Sequence, residues 1–492
     1  MTKQQSSYRQ IMKATSIFGG VQVINIIISI IRSKFIAALL GPTGIGISGM
    51  LTSTIGIISA LTNFGLGTSA VKDISSAYQS NNPTRISIIV GILKRWIWIT
   101  GLLGLISTLV FSPLLSYLCF QNWDYTYAFM LLSITLLVNQ LNIGQLVILQ
   151  GSRKLSFLAQ ANIIGNILGL LTTIPFYYLW GINGIVPALL ISSIIAFVIS
   201  SYFRKKINIE KIKISKARNY AEGKLMLKMG FLISMSGFIT LGFSYLVRLY
   251  INLEGGLKDV GFYTAGFAII NTYVGIIFTA MGTDYFPRLS ANANNQKELN
   301  KTINQQAEIS LLVLTPIIIT FIIFIKWIIE LLYTHEFEAI DTMLVWAAAG
   351  MVFKSASWSI GYIFLAKGTP KSFFLNEIVS NIYMFILNIA GYYYFGLTGL
   401  GLSFLLAYIL HLFQMILIAS IQYKFKFTKK FIPLFLIQII LTFSSIFIYF
   451  NTTNIMYYST GICILIISIA VSLYEMDKRI GLKNSLRKIL KK

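Results

Sequence analysis

The residues best able to do chemistry are basic side chains inside long apolar segments. Arg32, Arg248 and Lys354 each lie well within such a segment. A cation at this depth of a bilayer costs about 2.5–3.5 kcal/mol on insertion scales, so it normally faces an aqueous cavity or a partner. The arginine guanidinium also forms paired hydrogen bonds with phosphate oxygens. We predict that these three residues bind an anionic group, the alternative for the two arginines being that they snorkel to the membrane surface.

Six other charged residues fall inside apolar segments. Lys326 and Glu330, four residues apart, are predicted to pair with each other, and the other four are weaker candidates. Lys34, Lys94 and Arg95 are candidate secondary cations of a cavity, although Lys94 and Arg95 could instead reach the inner membrane surface from the start of their segment. Glu377 is predicted either to take part in ion coupling or to pair with a neighbouring lysine. Because basic residues outnumber acidic ones in these segments, the cavity should attract an anion.

No catalytic or metal-binding pattern occurs in the sequence. The two histidines, His335 and His411, fall in different segments, and no HExxH, GxSxG or Walker motif is present. Cys119 and Cys463 lack the spacing of a metal site and are too few for a disulfide framework. We therefore expect a transporter that is not an enzyme and that uses neither a cofactor nor a metal.

The composition explains why buried cations stand out in this chain. Of 492 residues, 56% are hydrophobic and only 11% are charged, with 40 Lys and Arg against 16 Asp and Glu. Ordinary globular domains carry about 25% charged residues, so this chain has too little polar surface to be a soluble protein. The net charge of +24 is then a signal of membrane topology and does not indicate nucleic-acid binding.

Apolar runs of about 20 residues predict an all-α polytopic membrane protein with fourteen transmembrane helices. Their predicted limits are 16–40, 45–70, 88–112, 126–149, 157–179, 184–203, 229–252, 261–283, 309–333, 342–365, 373–395, 398–420, 432–450 and 456–474. Outside these spans, Lys and Arg alternate between rich and poor connections, and Lys258 is the one basic residue on the poor side. Basic loops stay in the cytoplasm, so both termini are predicted to be cytoplasmic.

The second part of the chain repeats landmarks of the first at an offset of 215 to 217 residues. The matched pairs are Arg32 with Arg248, Gly44 with Gly261, Gly65 with Gly282, Gly151 with Gly368, and Gly181 with Gly396. Six spans return the chain to its starting side, so the two copies should run parallel, as in many transporters. The predicted divisions are an N-terminal lobe at 1–203, a basic cytoplasmic connection at 204–228, a C-terminal lobe at 229–420, and two extra spans with a basic tail at 421–492.

Several sequence motifs resemble those of a known transporter group. They are RSKFIAALLGPTGIGISGM with the following LTNFGLGTSAVKDIS, the later GFYTAGFAIINTYVG with MGTDYFPRLS, and the GINGI and GLTGL turns. Together they resemble the polysaccharide or O-antigen flippase branch of the multidrug/oligosaccharidyl-lipid/polysaccharide (MOP) exporter superfamily. The resemblance implies two six-helix lobes around a central cavity, two extra helices, and alternating access.

The resemblance also implies a cargo, a location and partners. The cargo would be an undecaprenyl-pyrophosphate-linked oligosaccharide, moved to the periplasmic face of a bacterial inner membrane, with Arg32, Arg248 and Lys354 holding the pyrophosphate. Membrane lipids surround such a protein, and the polysaccharide polymerase and chain-length machinery are its candidate partners. A multidrug antiporter of the same fold and a lipid II flippase are the alternatives. The sugar, the oligomeric state and the driving force (proton, sodium or membrane potential) stay open.

Overall fold

A computed structural model describes the backbone of residues 3–80, 82–210, 212 and 214–480. Within these ranges the chain is helical throughout and contains no strand. The helices in chain order are α1 (Lys3–Thr62), α2 (Leu66–Gln79), α3 (Pro83–Phe120), α4 (Thr126–Gly151), α5 (Leu155–Trp180), α6 (Ile185–Lys205), α7 (Lys216–Ala268), α8 (Ile276–Ala291), α9 (Gln296–Ile323), α10 (Ile325–Leu332), α11 (Asp341–Ala366), α12 (Pro370–Tyr423), α13 (Phe431–Asn451) and α14 (Asn454–Ile480). Two 3₁₀ turns, Gly181–Gly184 and His335–Ile340, and a π-helical segment, Ile269–Val274, join some of them.

The described residues include ten helical stretches long and apolar enough to cross a membrane. A single crossing needs about 20 residues, yet four of these stretches are much longer and contain an internal backbone break. They are Ile24–Thr62 with 39 residues, Leu155–Lys205 with 51, Ser234–Ala291 with 58 and Lys371–Tyr423 with 53. The prediction of an all-helical, multi-pass membrane protein is therefore confirmed.

Each long stretch is interrupted by a glycine with positive φ. These glycines are Gly41 (φ 63°), Gly181 (φ 53°), Gly256 (φ 76°) and Gly396 (φ 55°). Only glycine adopts this backbone conformation without a steric penalty, so the helix breaks at these points. The four lie in connections that the hydropathy pattern had placed between consecutive spans. They also form two pairs, Gly41 with Gly256 and Gly181 with Gly396, separated by the same offset of 215 residues.

The second pair of glycines forms hairpins with the same geometry. A Cβ atom on Gly184 would overlap the carbonyl oxygen of Phe176, and one on Gly399 would overlap that of Gly391. Phe176 and Gly184 are the counterparts of Gly391 and Gly399 at the 215-residue offset, so the two copies of the hairpin make the same close contact. The duplication inferred from the sequence is thus visible in the backbone.

The offset of 215 corrects four of the five matched landmarks. Gly261 corresponds to Gly46 rather than to Gly44. Gly368 corresponds to Arg153, which also has positive φ, rather than to Gly151.

Gly282 corresponds to Gly67 rather than to Gly65. A Cβ on Gly67 would meet Ile143 and Val147 of α4, and a Cβ on Gly282 would meet their counterparts at the 215-residue offset, Trp358 and Tyr362 of α11. Arg32 corresponds to Val247 rather than to Arg248. One residue rotates a side chain by about 100° around a helix, so the two arginines do not occupy equivalent helix faces.

The first pair of glycines marks a place where the two copies touch. A Cβ on Gly46 would overlap the carbonyl oxygen of Leu257, and a Cβ on Gly261 would overlap that of Pro42. Gly261 and Leu257 are the counterparts of Gly46 and Pro42 at the same offset. Each copy therefore presents the same surface to the other, as in a two-fold symmetric interface. Small residues here let two helix backbones approach closely.

The chain divides into two compact units, 1–261 and 262–492. The first unit contains α1 to α6 and most of α7, and so includes the first apolar segment of the second copy. The predicted lobes at 1–203 and 229–420 follow the duplication, whereas these units follow spatial contacts. The predicted lobe boundaries therefore stay predictions.

Part of the predicted basic connection, 204–228, forms the start of α7. Glu222 accepts hydrogen bonds from Arg85 at 2.7 Å and from Arg218 at 2.8 Å. Burial alone would raise the pKa of Glu222, but these two guanidinium groups outweigh it and hold the pKa below its ordinary value. The carboxylate therefore stays charged at neutral pH and ties α7 to the start of α3. Lys211, Lys213 and the basic tail at 481–492 lie outside the described residues.

The two extra helices, α13 and α14, are fixed to α9 in the second unit. Arg479 donates to Glu308 at 2.5 Å, with both side chains mostly buried, and it also pairs with Glu475 of its own helix. The amide of Asn304 bonds the backbone of the segment before α13, at Lys426 and Thr428. Breaking a buried pair by removing one partner is costly, so this cluster stabilises the attachment of α14.

Candidate functional site

Arg32 lines a cavity of about 370 Å³ enclosed by α1, α4, α5 and α6 of the first unit. The other polar lining residues are Thr52, Ser59, Thr135, Asn139, Asn166, Ser192 and Ser193. Gly169 leaves room for the guanidinium, because a Cβ at this position would lie 3.8 Å from Nη2 of Arg32. The cavity therefore combines one fixed positive charge with several hydroxyl and amide groups.

The guanidinium of Arg32 keeps hydrogen-bonding capacity inside this cavity. Its Nε is buried and has no hydrogen-bond partner in the described structure. A buried donor without a partner costs about 1–3 kcal/mol, so such groups normally bind water or a ligand. Arg32 thus lies among the polar residues that line this cavity, and its role in binding an anion stays a prediction.

Arg248 has different surroundings. It lies on α7, half-buried, and its Nη1 donates to the hydroxyl of Ser244 at 2.7 Å and to the carbonyl of the same residue at 3.2 Å. It is not among the residues that line the cavity of Arg32. The structure therefore does not bring these two arginines into one site, and Arg248 stays a prediction as an anion-binding residue.

Lys354 lies in the second unit, in the middle of α11, among aromatic rings. Its Nζ lies over the ring of Tyr408 at 5.1 Å, Phe404 at 5.7 Å and Phe278 at 5.9 Å. Cation–π contacts stabilise a desolvated ammonium by up to about 2 kcal/mol, so these rings offset part of the cost of its burial.

The 215-residue offset relates the surroundings of the two cations. Asn139 and Asn166 line the cavity of Arg32. Their counterparts in the second copy are Lys354 and Asn381. Each copy of the fold thus carries a cation in the same internal region, although Arg32 comes from the first helix of its copy and Lys354 from the fourth. An alignment of the two copies does not reveal this relationship, because the cation of each copy is on a different helix and so never aligns with the other cation.

The remaining predicted residues are dispersed. Glu377 is half-buried on α12, and no ion pair of the described residues includes it, so the predicted pairing with a neighbouring lysine is not observed. Lys34 is half-buried on α1. Lys94 and Arg95 lie about three turns into α3, which begins at Pro83, and the side chain of Arg95 is exposed.

Sequence reasoning missed the neutral residues of these sites. Asn139, Asn166 and Ser192 line the Arg32 cavity, and the rings around Lys354 form its cage. Polar amides within apolar segments were a usable signal for the first group. The rings carried no signal, because aromatic residues make up 14% of the chain and occur in every segment.

Helical bundles with broken helices, an internal duplication and buried cations are typical of secondary transporters. The fold agrees with that class. The structure aligns with "Lipid II flippase MurJ" in an inward closed conformation with a TM-score of 0.71, at 14% identity, covering 95% of this chain and 99% of that one. It also aligns with an inward-facing MATE multidrug transporter of the MOP superfamily with a TM-score of 0.66, at 15% identity, covering 81% of this chain and 94% of that one.

The sequence places the chain in a family. A family model described as "Polysaccharide biosynthesis protein" matches residues 35–342, and the chain belongs to this family. The lipid III flippase of Escherichia coli (strain K12) is 22% identical over 353 residues, covering 70% of this chain and 82% of that protein. A probable low-salt glycan biosynthesis flippase of Haloferax volcanii, Agl15, is 23% identical over 425 residues, covering 83% of each. The resemblance inferred from the sequence motifs is thereby confirmed.

Proposed function

We propose that this protein is a flippase for a lipid-linked sugar with an anionic diphosphate, specifically an undecaprenyl-pyrophosphate-linked oligosaccharide. It would move this cargo from the cytoplasmic to the periplasmic face of a bacterial inner membrane by alternating access. The observation that carries the proposal is the Arg32 guanidinium, buried with an unpartnered donor in a polar cavity, in a member of a polysaccharide biosynthesis family. The polymerase and chain-length machinery of such a polysaccharide are the proposed downstream partners.

The cargo has a physical need for this kind of site. Its lipid tail can stay in the bilayer, whereas its sugar and diphosphate cannot cross hydrocarbon without a polar route. Arg32 would pair with the diphosphate through bidentate hydrogen bonds and Lys354 through its charge. Arg248 is proposed as a third diphosphate contact and Glu377 as a coupling group. Secondary cavity cations would be Lys34, Lys94 and Arg95.

The proposal includes fourteen membrane crossings. The ten apolar stretches become fourteen when the four long ones are each counted as two segments separated at their glycine. Two parallel six-helix lobes then account for spans one to twelve, and α13 with α14 would be the two extra spans. With an even number of crossings both termini lie on one side, which the basic connections would place in the cytoplasm.

Of two other cargoes, a cationic drug fits these cations less well and lipid II fits them equally well. A cationic drug would be repelled by Arg32 and Lys354, and the apolar segments at 16–40 and 229–252 contain no acidic residue to bind it. Lipid II carries the same undecaprenyl diphosphate, so the two cations would accept it equally. The sugar portion must therefore distinguish lipid II from other lipid-linked oligosaccharides.

A binding experiment with the purified full chain in lipid nanodiscs tests this proposal. Wild type is expected to bind undecaprenyl pyrophosphate, its oligosaccharide-bearing forms, or both, and to leave the cationic dye ethidium unbound. Lipid II in the same series ranks the two candidate cargoes. Saturable binding of ethidium without binding of any undecaprenyl diphosphate would overturn the proposal in favour of a drug exporter.

The orientation can be tested with cysteines and an impermeant thiol reagent in intact cells. In a background with Cys119 and Cys463 replaced by Ser, cysteine at Asn122 or Glu254 should be labelled, because both are predicted to lie on the outer side. Cysteine at Arg218 should be labelled only after the cells are permeabilised. Labelling of the Arg218 variant in intact cells would reverse the assigned orientation.

A further inference from the structure

A second cleft, separate from the Arg32 cavity, opens between α8 and α11 and is lined by aromatic rings. It encloses about 440 Å³ and is lined by Phe278, Phe286, Trp358 and Tyr362, together with Thr279, Gly282 and Leu365. The rings pack on one another, with centroids 5.2 Å apart for Phe278 and Trp358 and 5.1 Å apart for Trp358 and Tyr362. The volume lies within the range of about 300–1,000 Å³ that small-ligand sites occupy.

The duplication shows that the fold does not require aromatic residues here. Gly282 and Gly67 are counterparts, and each lines a cleft, the cleft at Gly67 being lined also by residues of α7. A Cβ on Gly67 would meet Ile143 at 3.3 Å, whereas one on Gly282 would meet Tyr362 at 3.0 Å and Trp358 at 3.5 Å. Trp358 is the counterpart of Ile143, and Phe278 is the counterpart of Asn63, which lines the first cleft. These two positions are therefore occupied by Ile143 and Asn63 in the first copy and by Trp358 and Phe278 in the second.

The open side of this cleft is mixed in character, with Phe286 and Leu365 as exposed apolar side chains and Thr279 as an exposed polar one. Within the described part of Ile269–Ala291, Phe286 is the only large apolar side chain that is exposed, and the other exposed residues include Asn271, Thr279 and Asp284. In contrast, α3 exposes a long series of Leu, Ile, Val and Phe side chains. Charged and polar residues at membrane depth face a water-filled space rather than lipid. The rings of α8 and α11 therefore lie in a cleft with both apolar and polar walls, which suits a sugar ring with an apolar C–H face and polar hydroxyl edges.

The cleft adjoins a cation. Lys354 precedes Trp358 by one helical turn on α11, so both side chains lie on the same face of that helix. Phe278 belongs both to the cleft and to the ring cage of Lys354, with its centroid 5.9 Å from Nζ. A molecule that placed an anionic group on Lys354 would bring the portion next to that group onto the rings.

We propose that this cleft is the sugar-binding subsite, in which a pyranose ring stacks on Trp358 and Tyr362 while the adjacent diphosphate contacts Lys354. The face of an aromatic ring carries partial negative charge, and the C–H groups of a pyranose face carry partial positive charge, so the two surfaces attract each other. Gly282 keeps the ring faces uncovered. This inference rests on the proposed function and adds to it the residues that recognise the sugar.

Binding to the full chain in lipid nanodiscs tests the subsite with two probes. One is the lipid-linked oligosaccharide extracted from cells that express the protein, and the other is undecaprenyl pyrophosphate without sugar. Wild type should bind the oligosaccharide lipid more tightly. Trp358→Ala should weaken that binding by about tenfold, as the loss of one stacking ring does elsewhere, and leave undecaprenyl pyrophosphate binding unchanged. Trp358→Phe should restore most of the loss.

Two further variants separate stacking from a general packing defect. Gly282→Leu keeps every ring but fills the cleft, so it should reproduce the effect of Trp358→Ala. Trp346→Ala removes a tryptophan from the same helix, where it packs against Phe450 away from the cleft, and should leave the binding of both lipids unchanged.

The outcomes distinguish the subsite from the function on which it rests. Equal weakening of both lipids by Trp358→Ala, or no effect on either, would overturn the subsite. Equal binding of both lipids by wild type would also overturn it and leave the flippase proposal standing. If wild type bound neither lipid, the proposed function would fall and the subsite with it.

Discussion

On the proposed function, cells whose only copy of this protein carries Arg32→Gln are expected to lose at least about nine-tenths of their surface polysaccharide. The reason is that the guanidinium is the positive charge of a polar cavity and has a buried donor available for a ligand. A charge-assisted bidentate contact is worth about 1.5–3 kcal/mol, which corresponds to a loss of tenfold or more. Lys354→Gln should cause a loss of similar size. The measurement is surface polysaccharide per cell, normalised to the membrane level of each variant.

The protein level should not fall in these variants, since removing a cation from an apolar segment eases membrane insertion. Arg32→Lys should restore only part of the export, because it keeps the charge and loses the bidentate geometry. Lys326→Gln is a matched control, since this lysine is also in an apolar segment but is exposed on α10. Arg248→Gln should have a smaller effect than Arg32→Gln, because Arg248 bonds Ser244 of its own helix. Normal export by Arg32→Gln would remove Arg32 from the binding site.

The membrane class and the duplication could be predicted because both depend on local and repeated features. Apolar runs directly indicate which segments lie in the membrane. The glycines that interrupt long helices do so through their own backbone conformation. Gly181 and Gly396 were matched correctly from sequence, and both break their helices with positive φ. The family resemblance rested on the same glycine-rich segments.

The equivalence of Arg32 and Arg248 could not be judged from the sequence, because an error of one residue in the offset changes the helix face. The prediction of an apolar segment tolerates such an error, because hydropathy is averaged over a whole span. The prediction of which helix face a single side chain occupies does not. The backbone contact of Gly46 with Leu257 and of Gly261 with Pro42 fixes the offset at 215 and places Val247 opposite Arg32 in the alignment.

The internal cavities were also beyond sequence reasoning, because their lining comes from several distant helices. Asn139, Asn166 and Ser192 converge around Arg32 from α4, α5 and α6. The aromatic cleft required knowledge that Gly282 leaves room next to Trp358 and Tyr362. Composition gives the number of rings and glycines, but only three-dimensional packing shows which of them enclose a space.

Gly46→Ala is expected to destabilise the protein strongly, although Ala is normally the better helix former. Its Cβ would overlap the carbonyl oxygen of Leu257, and a backbone oxygen cannot rotate away as a flexible side chain can. The two helices must move apart, at a cost of about 1–3 kcal/mol for overpacking of this kind. Thermal unfolding in detergent, followed by the loss of monodisperse protein on size exclusion, should show a melting temperature several degrees below wild type.

Gly56→Ala is the matched control on the same helix, because no atom lies within 4 Å of the added Cβ. It should be neutral or slightly stabilising, since Ala in a helix is favoured over Gly by up to about 1 kcal/mol. Gly261→Ala, the symmetric counterpart, should destabilise the protein as much as Gly46→Ala does. The double variant should lose less than the sum of the two, since one separation of the helices makes room for both methyl groups. Equal melting temperatures for Gly46→Ala and Gly56→Ala would show that the two copies of this segment do not pack backbone to backbone.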